Sequence, residues 1–210
     1  MGNRAVITTK ENFENDGVGV YLHWNGGRDS VEPFLQYCKL KGYRSPEEDS
    51  YGWARLTAVI ANFFGGTTSV GIDILSHLDC DNGDNGVYII ENWEIVDRKY
   101  FDGSEQYGYD LKEFMLAIDE HMPEADRIGK EYLTAPVIKP NEMKIGDVVA
   151  FMDWSGSIIE AKIIGFGEEG KIVNGTDVTG IPYIAKYGLD DPSRNINNYL
   201  RDGREYRKIQ

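Results

Sequence analysis

The hydrophobic period of this chain changes at Gly65-Gly66. Before the two glycines, Trp53, Leu56, Ile60 and Phe63 or Phe64 recur at helical spacing. Beyond them, apolar residues fall on alternate positions in Ser69 to Leu75, Val87 to Asn92 and Trp93 to Phe101. Side chains three to four apart share a helix face, and side chains two apart share a sheet face. A chain that switches period in this way sets helices against an antiparallel sheet, an α+β fold.

The remaining signals extend that reading. Ala5 to Thr8 and Val18 to Trp24 read as a strand pair, and Asn25-Gly26-Gly27 tolerates the positive φ of a tight turn. Val31, Phe34, Leu35 and Cys38 predict a helix capped by Asp29 or Ser30 and closed by Gly42, with Pro33 placed in its first turn. Ser45-Pro46-Glu47-Glu48 has the order of a capping box and predicts the start of a second helix, interrupted at Gly52. Asp110 and Glu113 open a third, along Leu111, Phe114, Met115 and Ile118 to Pro123. The last two strands of the sheet are joined by a tight turn at Glu91-Asn92.

Pro136 and Pro140 bracket an extended stretch, so the expected division is an α+β domain over 1–135 and a second domain over 141–210. In the second, short strands at Val148 to Phe151, Ile158 to Phe166, Lys171 to Val173 and Tyr183 to Ala185 predict a small β-barrel. Turns are expected at Ser155-Gly156 and Glu168-Glu169-Gly170. Lys144 to Val149 followed by Glu160 to Phe166 resembles the opening hairpin of SH3-like barrels.

Charge then narrows the function. The net charge is −13, and residues 51–150 hold 18 acidic against 8 basic side chains. Such a surface repels phosphate backbones and draws a basic partner, so direct nucleic-acid binding is not expected. Arg194, Arg201, Arg204, Arg207 and Lys208 near the C-terminus read as a solvated tail. The longest apolar run, Ala58 to Phe64, is too short to span a membrane, and the N-terminus lacks a signal-peptide pattern. The expectation is therefore a soluble cytoplasmic protein. Cys38 and Cys80 read as reduced thiols.

The acidic loop Asp79 to Gly86 resembles a calcium loop, but the register fails. An EF-hand needs Gly sixth and Glu twelfth; counting from Asp79 these are Asp84 and Ile90, and from Asp81 they are Gly86 and Asn92. No metal and no cofactor are expected. Asp79, Asp81 and Asp84, with Glu91, Glu94 and Trp93, are instead the candidate partner-binding residues, the aromatic serving as an anchor for cationic side chains. If the chain is an enzyme, His77 beside Asp79 and Asp81, or His23, is the candidate acid or base. His121, in the last turn of a helix, needs no further role. No hydrolase elbow, phosphate loop or zinc motif is present, and Gly65-Gly66-Thr67-Thr68 reads as a helix stop.

Met1 to Ile7, Tyr21 to Val31 and Tyr51 to Leu56 resemble, over residues 1–125, a family of small acidic proteins carried by phages and other mobile elements of Gram-positive bacteria. Some proteins of that kind are type II-A anti-CRISPR inhibitors. The resemblance implies stoichiometric inhibition of a host nuclease, Cas9 or its guide-RNA complex, by an acidic surface that mimics nucleic acid. Two other functions are compatible with the residues: a hydrolase that degrades guide RNA or a defence signal, and a non-catalytic adaptor of mobile elements.

Overall fold

The computed structural model describes residues 2–139, 142–152, 156–166, 172–177, 182–186 and 205–209. It divides into two units, residues 1–127 and 128–210.

In the first unit β1 (Ala5–Thr9) is followed by a short helix α1 (Lys10–Glu14) and β2 (Val18–Leu22). Next come α2 (Arg28–Leu40), α3 (Ser50–Phe63), β3 (Val70–Ile74), β4 (Val87–Glu91), β5 (Glu94–Lys99) and α4 (Leu111–His121). The strands form one sheet in the order β3-β2-β1-β4-β5. Three of its pairings are antiparallel, but β1 and β4 run parallel, with Val6 opposite Val87 and Thr8 opposite Ile89. The sheet is therefore mixed rather than antiparallel. Strands β2 and β3 and helices α2 and α3 all intervene between β1 and β4, long enough for the crossover that a parallel pair requires.

The central strands are covered on both faces, which is why β1 and β4 read as buried runs while the outer strands β3 and β5 stay partly exposed. On one face Val6, Val87 and Ile89 cluster with Leu75, and Phe13 of α1 packs against them. Ala5, Ile7, Val20, Leu22, Tyr88 and Ile90 alternate with these and are fully buried. Helices α2, α3 and α4 pack together. Phe34, Phe63 and Phe114, one from each, stand 5.1 to 5.7 Å apart between ring centroids.

Several helix ends differ from expectation. Gly27, not Asp29 or Ser30, caps α2, so those two residues lie in its first turn and Pro33 falls in the second. The far end is as expected: Gly42, at φ +65°, and Tyr43 donate to the carbonyls of Lys39 and Cys38. Helix α3 starts at Ser50 rather than at Ser45, because residues 46–48 make a separate turn against it and Asp49 accepts from the Tyr51 amide. The turn joining β4 and β5 centres on Asn92 and Trp93, both at positive φ. Helix α1, which no expectation covered, is capped by Thr9 accepting from the Asn12 amide.

The second unit contains α5 (Lys130–Thr134) and a sheet in the order β10-β6-β7-β8-β9, every pair antiparallel. Its strands are β6 (Val148–Met152), β7 (Ile158–Phe166), β8 (Ile172–Asp177), β9 (Pro182–Lys186) and β10 (Arg207–Lys208). Among the described residues no pairing closes it into a barrel. Met143, Val149, Phe151, Ile163 and Tyr206 form its core.

The unit begins at residue 128, thirteen residues before the expected start at 141, because the proline-flanked stretch is no linker. Ile138 donates to the Tyr206 carbonyl, Lys208 donates to that of Pro136, and the Arg207 guanidinium bonds the carbonyls of Leu133 and Ala135. Arg207 and Lys208 are accordingly a strand of the sheet and not a solvated tail, with Lys208 on Asp147 at 2.7 Å. The expected turn at Glu168-Glu169-Gly170, Ser155, and the tail residues Arg194, Arg201 and Arg204 lie outside the described residues. No described helix is long and apolar enough to cross a membrane.

Candidate functional site

The acidic loop is built around Asn82, only 4% exposed. Its side-chain amide donates to the carbonyls of Asp79 and Gly86. Its oxygen accepts from the amides of Asp84, Asn85 and Gly86. Gly86, at φ +60°, closes the loop where an added Cβ would lie 2.3 Å from the carbonyl oxygens of Lys99 and Tyr100. The carboxylates here are largely neutralised. Arg4 donates through its backbone amide and its Nε to Asp84, at 3.1 and 2.7 Å, and reaches Asp79 at 3.2 Å. Those hydrogen bonds hold the Asp84 carboxyl below its ordinary range. Only Asp81 of the three stands exposed and outside these ion pairs.

The other candidates sit at the far end of β4. Five strand residues separate the loop from the hairpin tip, about 17 Å, so the two groups make no single surface. At the tip Glu91 and Glu94 lie directly opposite. Glu94 is held by Lys39 at 2.5 Å and Gln36 at 3.2 Å; burial pushes its pKa up, yet these bonds outweigh it and leave the carboxyl below its usual value. Trp93 is no exposed anchor: it is 3% exposed, with its indole N–H donated to the Tyr43 carbonyl.

Glu91 faces a groove that sequence proximity did not indicate. Lys10, Phe13 and Glu14 of α1, Ile89 and Glu91 of β4, and Val96, Asp97 and Lys99 of β5 enclose about 370 Å³. A second hollow of about 360 Å³ shares Lys10, Glu14 and Glu91 and adds Glu11, Glu47 and Ile90. The floor is apolar where α1 covers β4 and leaves β5 bare; Val96 is 51% exposed. Asp97 is paired with Lys99 at 2.7 Å, whose hydrogen bond lowers its pKa. Among the described residues Glu11, Glu14, Glu47 and Glu91 take part in no ion pair. Four carboxylates outside any ion pair, from three chain segments, thus border two adjoining hollows that share Lys10, Glu14 and Glu91. Glu11, Glu14 and Glu47 lay beyond the sequence reading; the one signal for the first two was Thr9 preceding two acids at helical spacing.

A second polar cluster secures residues 98–109. Arg98 lies 3.6 Å from the Tyr88 ring centroid and 3.9 Å from that of Phe101, and it donates to Glu105. Arg28 pairs with Glu32, to which Tyr109 also donates. These charges pair with one another, although Arg98 Nε and Glu105 Oε2 are buried without a hydrogen-bond partner.

The candidate acid–base residues are not brought together. His23 follows β2, beside the start of β3, whereas His77 lies past its end, so the β2–β3 ladder separates them. His77 contacts Asp73 at 3.2 Å, not Asp79 or Asp81, and the neighbouring Ser76 donates to Asp16 instead. Among the described residues no three His, Cys, Asp or Glu side chains are placed to hold a metal ion. No protein-family model matches this chain, and neither a curated protein nor a solved structure does.

Proposed function

We propose that the protein is a binding inhibitor of a host defence nuclease of the Cas9 type, acting in the bacterial cytoplasm without a cofactor and without contacting nucleic acid itself. The single observation that carries this is the groove bordered by Glu11, Glu14, Glu47 and Glu91, whose charges have no internal partner. Unpaired carboxylates beside exposed apolar surface offer a basic protein surface both attraction and contact area. The resemblance of residues 1–125 to mobile-element proteins supplies the class of partner. In this reading the groove, rather than the Arg4-neutralised loop, engages the nuclease.

For the second unit we propose an SH3-like barrel. Support comes from its five-strand order, in which the last strand returns beside the first. The barrel would act as a separate protein-binding module.

Capture of Cas9 from cells, with and without guide RNA, tests the reading. The expected result is stoichiometric capture that is lost when Glu11, Glu14, Glu47 and Glu91 are all changed to lysine, with wild-type association slowed by salt. Equal capture by this variant defeats it, and so does degradation of guide RNA by substoichiometric protein.

A further inference from the structure

Resting on the groove as the docking surface, we infer that its occupant is a short extended polypeptide segment carrying an apolar side chain between two lysines or arginines at alternate positions. The segment lies across the sheet face and does not pair with the sheet edge.

The edge is closed to a guest strand. Strand β5 carries a register shift opposite Ile89 and Ile90, the Asp97 carboxylate accepts the Arg98 amide at 2.8 Å, and Lys99 stands beside it. A bulge, a capped amide and a lysine are devices that blunt an edge strand. The face has no such protection. Phe13, Ile89 and Val96 form an apolar floor, and Tyr100, 56% exposed, lies 6.5 Å from Phe13 between ring centroids.

Charge selects the occupant. Glu14 and Glu91 border the floor in no ion pair and Lys99 neutralises Asp97; with Lys10 on the same lining, three carboxylates against two lysines leave the groove a net charge of −1. Phosphates would be repelled here, and cationic side chains attracted. Spacing selects its conformation: Ile89 and Glu91 are two residues apart on one strand face, about 6.7 Å, the repeat with which an extended guest presents alternate side chains. A hollow of about 370 Å³ holds a few side chains rather than a folded domain.

The test is fluorescence anisotropy of labelled Lys-Ser-Leu-Ser-Lys-Ser-Leu-Ser-Lys titrated with the full chain. Binding is expected to weaken about tenfold in Glu14→Gln/Glu91→Gln, and comparably when the peptide leucines become serine. A deoxythymidine oligomer of equal length is expected not to compete. All these substitutions are at exposed positions or in the probe, so folding is preserved. Binding unchanged by Glu14→Gln/Glu91→Gln, or displaced by the oligomer, overturns the inference. A bound peptide with no capture of Cas9 supports it while removing the nuclease reading. Capture of Cas9 through the four glutamates with no peptide bound overturns it alone.

Discussion

The indole N–H of Trp93 donates to the backbone carbonyl of Tyr43 at 2.7 Å, joining the β4–β5 turn to the chain just past α2. Trp93 holds φ +65°, a conformation that costs an L-residue about 1–2 kcal/mol, and its side chain is nevertheless buried. Burial of the ring and the hydrogen bond together offset the strain. Trp93→Phe keeps most of the ring and removes the donor, leaving the carbonyl unpaired. The expected loss is about 1–2 kcal/mol in urea unfolding with an unchanged m-value.

Gly52 lies inside α3, where alanine ordinarily adds about 1 kcal/mol of stability. The opposite sign is expected here. An added Cβ would meet the Pro46 nitrogen at 2.5 Å and the Ser45 carbonyl carbon at 2.7 Å, and these are backbone atoms that cannot step aside. Gly52→Ala should lower stability by about 1–3 kcal/mol, while Ala54→Gly, at an exposed position of the same helix, lowers it by about 1 kcal/mol. Thermal unfolding of the two variants checks the contrast.

Both outer strands carry one device against pairing with another chain. Asp73 accepts the amide of Ile74, and Asp97 that of Arg98, each at 2.8 Å. Ile72 and Ile74 would otherwise present an exposed apolar edge. Asp73→Ala/Asp97→Ala is expected to raise the concentration-dependent mass measured by light scattering, whereas Asp81→Ala/Asp102→Ala, which removes the same two charges from exposed loop positions, leaves it unchanged.

The hydrogen bonds from Arg4 hold Asp84 below its ordinary carboxylate value of 3.8. The unfolded chain therefore takes up a proton before the folded one does. The stabilisation is complete above about pH 5, and it is lost as pH falls through 3.8 toward the lowered folded value. Arg4→Met should lower stability at neutral pH and flatten the acid limb below about pH 4, read by urea denaturation across pH.

The period change at Gly65-Gly66 was legible because side-chain periodicity follows from local geometry, and helices α2, α3 and α4 and strands β3, β4 and β5 stand where it placed them. Capping chemistry was less reliable, since Ser45 and Asp49 both satisfy local rules and only packing of the 46–48 turn on Gly52 chooses between them. Partnership between distant charges carries no local signal at all. Asp79 and Asp84 found Arg4 some 75 and 80 positions away, while Glu11, Glu47 and Glu91 met at a hollow beside Lys10 without forming an ion pair. Local order was thus written in neighbouring residues; which carboxylates remain free was decided by chain crossover, because ion pairing depends on distance through space and not along the chain.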